Sequence, residues 1–203
     1  RAFQASVKTS PLPVRGNQPP VQAEENMCVL FCDGLRYDVG MRLAETLKAR
    51  GCQVSVSSRW AAAPTVTATG RPAVMPVSGK VVGNELGATF APNLNPQGKP
   101  TTAQSLRAMT ESRGYQGLGA GSFDAPLEQG ARGWAECGEL DSLGHKLEAG
   151  LARQIPEQLD RIGNRITQLL DQGWETVRVV TDHGWLLVPG GMPKVDLPKH
   201  LTE

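Results

Sequence analysis

The chain has 203 residues, enough for one domain with a sizeable core or two small ones. Its 21 basic and 20 acidic residues leave a formal net charge of +1, which excludes a bulk electrostatic pull toward nucleic acid or acidic membranes. Aromatic residues make up only 5%, and 23 glycines with 15 prolines argue for many turns and long loops rather than a helical bundle.

Residues 1–26 hold four prolines and little periodicity, the pattern of a linker or extended arm. Met27–Cys32 (MCVLFC) is a continuous apolar run and predicts a central strand, ended by Asp33-Gly34. Val39, Leu43 and Leu47 then recur at helical spacing, with Asp38 as N-cap and Gly51 just past the C-terminus. Val54–Trp60 alternates and predicts a second strand. Residues 61–79 are rich in Ala, Thr and Pro, a loop with room for a short helix, and residues 80–101 read as an excursion of weak strand character. Ala103–Arg113 predicts a helix closed by Gly114, whereas Gly117–Gly133 is glycine-rich and loop-like. Asp141–Gly150 starts as a helix. Pro156 suits the first turn of the next one, whose Leu159, Ile162, Ile166, Leu169 and Leu170 keep a 3.6-residue period up to Gly173. Val177–Val180 is a short β-branched run that predicts a buried strand running into Asp182, His183 and Gly184. Strands alternating with helices predict an α/β fold around a mostly parallel central sheet. Residues 27–203 are expected to form that core, as a piece of a longer polypeptide, since the chain opens on Arg rather than Met.

Cys28 and Cys32 lie in one strand run, roughly 13 Å apart at ~3.3 Å per residue, beyond disulfide reach. With no CxxC spacing among Cys28, Cys32, Cys52 and Cys137, all four are expected to be buried thiols of a reducing cytoplasm. No apolar run approaches the ~18 residues of a membrane span and no signal-peptide pattern opens the chain, so no membrane partner is expected.

Chemistry concentrates in a few places. The chain has three histidines, His145, His183 and His200, and two of them stand beside carboxylates. Asp141 and His145 are i and i+4, so they share a helix face. Asp182 and His183 end one strong strand and Asp33 ends another. Parallel strands bring their carboxyl ends to one edge, where open α/β sheets bind ligands. Mixed Asp/His sets suit Zn²⁺ or Mn²⁺, and two sets side by side suit a two-metal centre ~4 Å across that clamps a phosphoryl group. Residue by residue there are plainer roles: Asp33 suits a turn before Gly34, Asp141 a helix cap, and His145 a solvated helix position. Thr65, Thr67 and Thr69 in APTVTATGR (63–71) offer hydroxyl nucleophiles, or local backbone hydrogen bonds, and Arg71 and Lys80 offer phosphate contacts, or solvated charges.

DGLR at 33–36, PTVTATGRP at 64–72, DSLGH at 141–145 and TDHG at 181–184 stand in the order found in the alkaline phosphatase superfamily, and their wording resembles the PglZ domain of bacterial phage-defence systems of the BREX and phage-growth-limitation type. The resemblance spans about residues 27–200 and implies an alkaline-phosphatase-like three-layer α/β sandwich. It implies a cytoplasmic, metal-dependent phosphodiesterase or phosphatase with two divalent ions, zinc or manganese. Its partners would be a phosphodiester substrate, DNA among the candidates for a nuclease, and other phage-defence proteins. Asp33, Thr67, Asp182 and His183 would bind one ion, with Thr67 as the nucleophile. Asp141 and His145 would bind the other, with His200 as the further histidine that family members add. Arg71 would steady phosphoryl oxygens. A threonine at the nucleophile position departs from the Cys or Ser of sulfatases and the Ser of independent phosphoglycerate mutases, and fits the phosphodiesterase and nucleotide pyrophosphatase side. The alternative reading is a catalytically weak scaffold or nucleotide-binding component of a multi-protein defence complex.

Overall fold

The fold was analysed in a computed structural model that describes residues 21–59, 61–62, 65–77, 81–82, 93–94, 99–119 and 127–186. Its centre is a four-stranded sheet of β1 (Met27–Phe31), β5 (Tyr115–Leu118), β6 (Arg132–Glu136) and β7 (Thr176–Val180), in the order β5-β6-β1-β7. Every pairing is parallel. Phe31 stands level with Glu136 on one side and Val180 on the other, so three strands leave the sheet at one height. From β1 the chain moves to one side for β5 and β6 and later returns to the other for β7. The reversal leaves a crevice beside β1 at the carboxyl edge.

Side chains of β1 alternate between two cores because a strand has a period of two. Cys28, Leu30 and Cys32 face α1 (Tyr37–Ala49) and α5 (Leu151–Asp171), where Val39, Leu43, Leu47, Ile155, Leu159, Ile162, Ile166 and Leu169 close one core. Met27, Val29 and Phe31 face α2 (Thr67–Val74) and α3 (Ala103–Glu111), with Val74, Met75, Leu106, Tyr115 and Trp134 in the second. Helices therefore cover both faces of a parallel sheet, as the strand–helix alternation predicts. Helix α4 (Leu140–Leu147) and one 3₁₀ turn (Glu148–Gly150) lead into α5. A separate three-stranded antiparallel sheet, β2 (Val81–Val82), β3 (Asn93–Leu94) and β4 (Lys99–Pro100), falls in the 80–101 excursion.

Several expectations need correction. Residues 54–59 form no strand and are mostly exposed: the alternation of Val and Ser is there, but no neighbouring strand among the described residues pairs with it. The glycine-rich stretch read as loop contains the end of β5 and the start of β6. β7 is only half-buried, because it is the edge of the described sheet. Pro156 lies in the second turn of α5, not the first, since the 3₁₀ turn starts the helix at Leu151. The N-cap of α1 is Arg36, and Asp38 stands in the first turn, paired with Arg36, where a carboxylate also suits the helix dipole. Residues 21–26 are not a free arm: Val21 and Ala23 are buried in the second core and the Ala23 N–H donates to the Tyr115 hydroxyl at 3.0 Å. All four cysteines are free, as expected, but only Cys28 and Cys32 are buried. No described helix is long and apolar enough to cross a membrane.

Candidate active site at the carboxyl edge of the sheet

The loops leaving β1 and β7 are joined by backbone and side-chain hydrogen bonds. Cys32 N–H donates to the Val180 carbonyl at 2.9 Å, Leu35 N–H to Thr181 Oγ1 at 3.1 Å, and Trp185 Nε1 to the Gly34 carbonyl at 2.9 Å. Arg36 stacks on Trp185, 4.0 Å from the ring centre. Asp182 Oδ1 accepts from Gly34 N–H at 3.3 Å and from His183 N–H at 3.0 Å. This lacing sets Asp33 and the Asp182–His183 pair side by side.

Two glycines bring the remaining walls in. Gly34 has φ +66°, a left-handed conformation that suits glycine, and a Cβ there would stand 3.0 Å from Asp141 Cβ. The close approach lets the first turn of α4 lie against the β1 loop and places Asp141 at the site. Gly70, in the second half of α2's first turn, would carry a Cβ 2.8 Å from the Asp182 carbonyl oxygen and 2.9 Å from Asp182 Cβ. Only a residue without a side chain lets α2 meet the β7 loop, and that contact delivers Thr67, the first residue of α2, to His183.

His183 Nε2 is the hub. It is 2.9 Å from Thr67 Oγ1, 3.5 Å from Asp33 Oδ1, 3.7 Å from Asp182 Oδ2 and 3.9 Å from Asp141 Oδ1. The other ring nitrogen, Nδ1, lies 3.1 Å from the Gly184 carbonyl oxygen, which can only accept. That contact places a proton on Nδ1, and Nε2 faces the four oxygens. Thr67 Oγ1 also lies 3.4 Å from Asp33 Oδ1. Of the threonines in the loop, Thr65 is exposed, Thr69 is buried, and Thr67 lies against His183.

Three carboxylates in so small a space repel one another. Burial first, then the charges of Asp182 and Asp141, push Asp33 up to about 6, against the opposing pull of His183 and Arg71. Asp182 is also raised, mainly by burial. Its Oδ2 is buried with no hydrogen-bond partner among the described residues. One ligand atom each from Asp33, Asp141 and His183 lie within 4.8 Å of one another. An orphaned buried oxygen, crowded anions and an imidazole nitrogen facing them are the donor set that a divalent cation satisfies, and hard oxygens mixed with imidazole fit zinc or manganese.

Asp33, Thr67, Asp141, Asp182 and His183 thus come together as anticipated. His145 is at the margin. Its Nε2 is 3.5 Å from Asp141 Oδ2, consistent with the shared helix face, but its side chain is 82% exposed. Arg71 lies over the Phe31 ring, 5.1 Å from its centre, and is ion-paired with Glu136. His200 and Lys80 lie outside the described residues. Glu136 and Gly70 escaped the sequence reading. Glu136 ends a strand hidden among glycines, although the apolar pair Trp134-Ala135 just before it was the available signal. No protein-family model, curated protein or solved structure matches the chain.

Proposed function

We propose that the chain is a metal-dependent phosphodiesterase of the alkaline phosphatase superfamily, of the PglZ type, that uses Thr67 as its nucleophile. The observation that carries this reading is the 2.9 Å contact of Thr67 Oγ1 with His183 Nε2 inside a ring of three carboxylates. A surface threonine has no need of such surroundings, whereas a hydroxyl that must lose its proton and attack phosphorus does.

Asp33, Asp182, His183 and Thr67 would hold one divalent ion and Asp141 with His145 a second; a bound cation would lower the pKa of the hydroxyl and offset phosphoryl charge. The chain supplies the rest. Thr67 stands at the first position of α2, beside the positive end of the helix dipole. Asp33 Oδ1, 3.4 Å away, is an acceptor within reach of the Thr67 proton, since His183 Nε2 at 2.9 Å would be committed to the ion. In-line attack forms the Thr67 Oγ1–phosphorus bond and expels the alcohol of the ester. Water then releases the remaining phosphate monoester from Thr67 and returns the hydroxyl. Arg71, with a side chain only 13% exposed, neutralises charge on the equatorial oxygens.

The exposure of His145 favours one alternative, a domain that binds a single cation and a nucleotide weakly and serves as a scaffold in a phage-defence assembly. Hydrolysis of bis-p-nitrophenyl phosphate, with metal content measured on the same samples, separates the two. The phosphodiesterase reading expects Thr67→Ala to keep its metal and lose at least ~10³-fold in turnover. Turnover that survives the substitution would reject the threonine mechanism, and no turnover by either protein would favour the scaffold.

A further inference from the structure

Glu136 ends β6 level with Phe31, so its carboxylate stands at the same sheet edge as Asp33, two residues beyond Phe31 on β1. Four donors converge on it. Arg71 Nη2 donates to Oε1 in a very short contact, Arg107 donates through Nε to Oε1 at 3.1 Å and through Nη2 to Oε2 at 2.6 Å, and Trp134 Nε1 donates to Oε1 at 3.2 Å. Burial pushes the Glu136 carboxyl up, but the Arg107 hydrogen bonds, the Arg71 charge and the Trp134 donor outweigh it and hold it below the usual range. Glu136 therefore stays ionised and acts as a fixed crosspiece between two guanidiniums.

One negative charge set between two positive ones leaves this corner with a net positive charge, beside a cluster of three acids. The two arginines differ in depth. The Arg71 side chain is 13% exposed and its buried Nε has no hydrogen-bond partner among the described residues. The Arg107 side chain, on α3, is 53% exposed. Arg71 follows Thr67 by one turn of α2 and is the deep guanidinium, and Arg107 is a rim guanidinium reachable from solvent. Guanidinium pairs in this arrangement bind phosphate oxygens well, because each offers planar N–H donors.

We propose that Arg107, aligned with Arg71 through Glu136, forms an anion subsite beside the Thr67 centre that takes a second phosphate of the substrate, while Arg71 faces the one that reacts. The inference rests on the phosphodiesterase reading for which phosphate reacts, but the subsite can be tested without turnover. Two substrate chemistries carry such a neighbour: a nucleoside pyrophosphate ester and a nucleic acid strand. Arg107 is the specificity residue and Glu136 the positioning residue that aligns both guanidiniums.

The test is calorimetric titration of the full chain with AMP, with ADP and with adenosine 3′,5′-bisphosphate, in wild type, Arg107→Ala and Glu136→Gln. The first ligand has one phosphate, the second has two at pyrophosphate spacing, and the third has two at strand spacing. Wild type should bind one of the two-phosphate ligands about tenfold more tightly than AMP, the size of one charge-assisted contact. Arg107→Ala should bring that ratio close to one, and Glu136→Gln should reduce it while a circular dichroism melt confirms the fold. The ligand with the larger Arg107-dependent gain names the spacing of the natural substrate. Equal binding of all three ligands by wild type, no binding of any, or a preference that survives Arg107→Ala would overturn the subsite. If instead the preference holds and depends on Arg107 while Thr67→Ala still hydrolyses diesters, the subsite stands and the threonine mechanism falls.

Discussion

The two walls of the site are built differently. On the β7 side, Asp182 is 1% exposed, its Oδ1 takes two backbone N–H groups, and the His183 side chain is 7% exposed with its Nδ1 on the Gly184 carbonyl. On the α4 side, Asp141 is partly exposed and its i+4 partner His145 extends into solvent. The first wall is positioned by the sheet and by backbone hydrogen bonds. The second wall has one residue at the cluster and one exposed to solvent. In a pre-organised site the strongest effects should come from the rigid wall, because nothing nearby can substitute for a group fixed by backbone hydrogen bonds.

Substitutions that break the rigid wall should be the most severe. His183→Ala and Asp182→Asn are each expected to lower diester turnover by about 10³-fold or more and to release bound metal, as judged by steady-state rates and elemental analysis. Gly70→Ala keeps every ligand side chain in the sequence but pushes α2, and Thr67 with it, off the Asp182 backbone, since the added methyl would meet the carbonyl oxygen at 2.8 Å. It should cost about 2 kcal/mol of stability by denaturant titration and reduce turnover with it. Gly34→Ala presses on the other wall. The left-handed φ and a softer 3.0 Å contact with Asp141 Cβ predict a smaller loss, about 1 kcal/mol. His145→Ala should be milder again for the first metal, and a turnover loss of only about tenfold would mark the second wall as accessory. A fall as large as that of His183→Ala would erase the distinction between the walls.

The crowding of carboxylates gives a pH signature. Asp33 is raised from an ordinary 3.8 to about 6, so between those values the folded state keeps a proton that the unfolded chain has lost. Stability of the metal-free protein should therefore fall as the pH climbs from about 4 to about 6, the reverse of a salt-bridged aspartate. Added zinc or manganese should reverse that fall above pH 6, measured by thermal melts with and without the ion.

The sequence made the rigid wall readable because strand ends carry strong local patterns. A β-branched run into Asp182-His183 and an apolar run into Asp33-Gly34 each state both the element and the residue at its edge. The i, i+4 spacing of Asp141 and His145 likewise survived, since helix geometry alone determines it. What escaped depended on tertiary approach. Gly70 matters only because α2 meets the Asp182 backbone, and no local pattern announces that meeting. Glu136 was hidden because Gly117, Gly119, Gly130 and Gly133 dilute the strand signal of β5 and β6. Residues 54–59 show the opposite error, where alternation without a neighbouring strand yields no sheet.

The central claim is that Thr67 forms a bond to phosphorus, and trapping that bond tests it most directly. The protein, mixed with bis-p-nitrophenyl phosphate and quenched in acid during the first turnovers, can be digested and its peptides weighed by mass spectrometry. The account predicts a phosphoryl ester on the peptide carrying Thr67, absent from Thr67→Ala. Steady hydrolysis with no adduct on that peptide, or an adduct on a different residue that persists in Thr67→Ala, would contradict it.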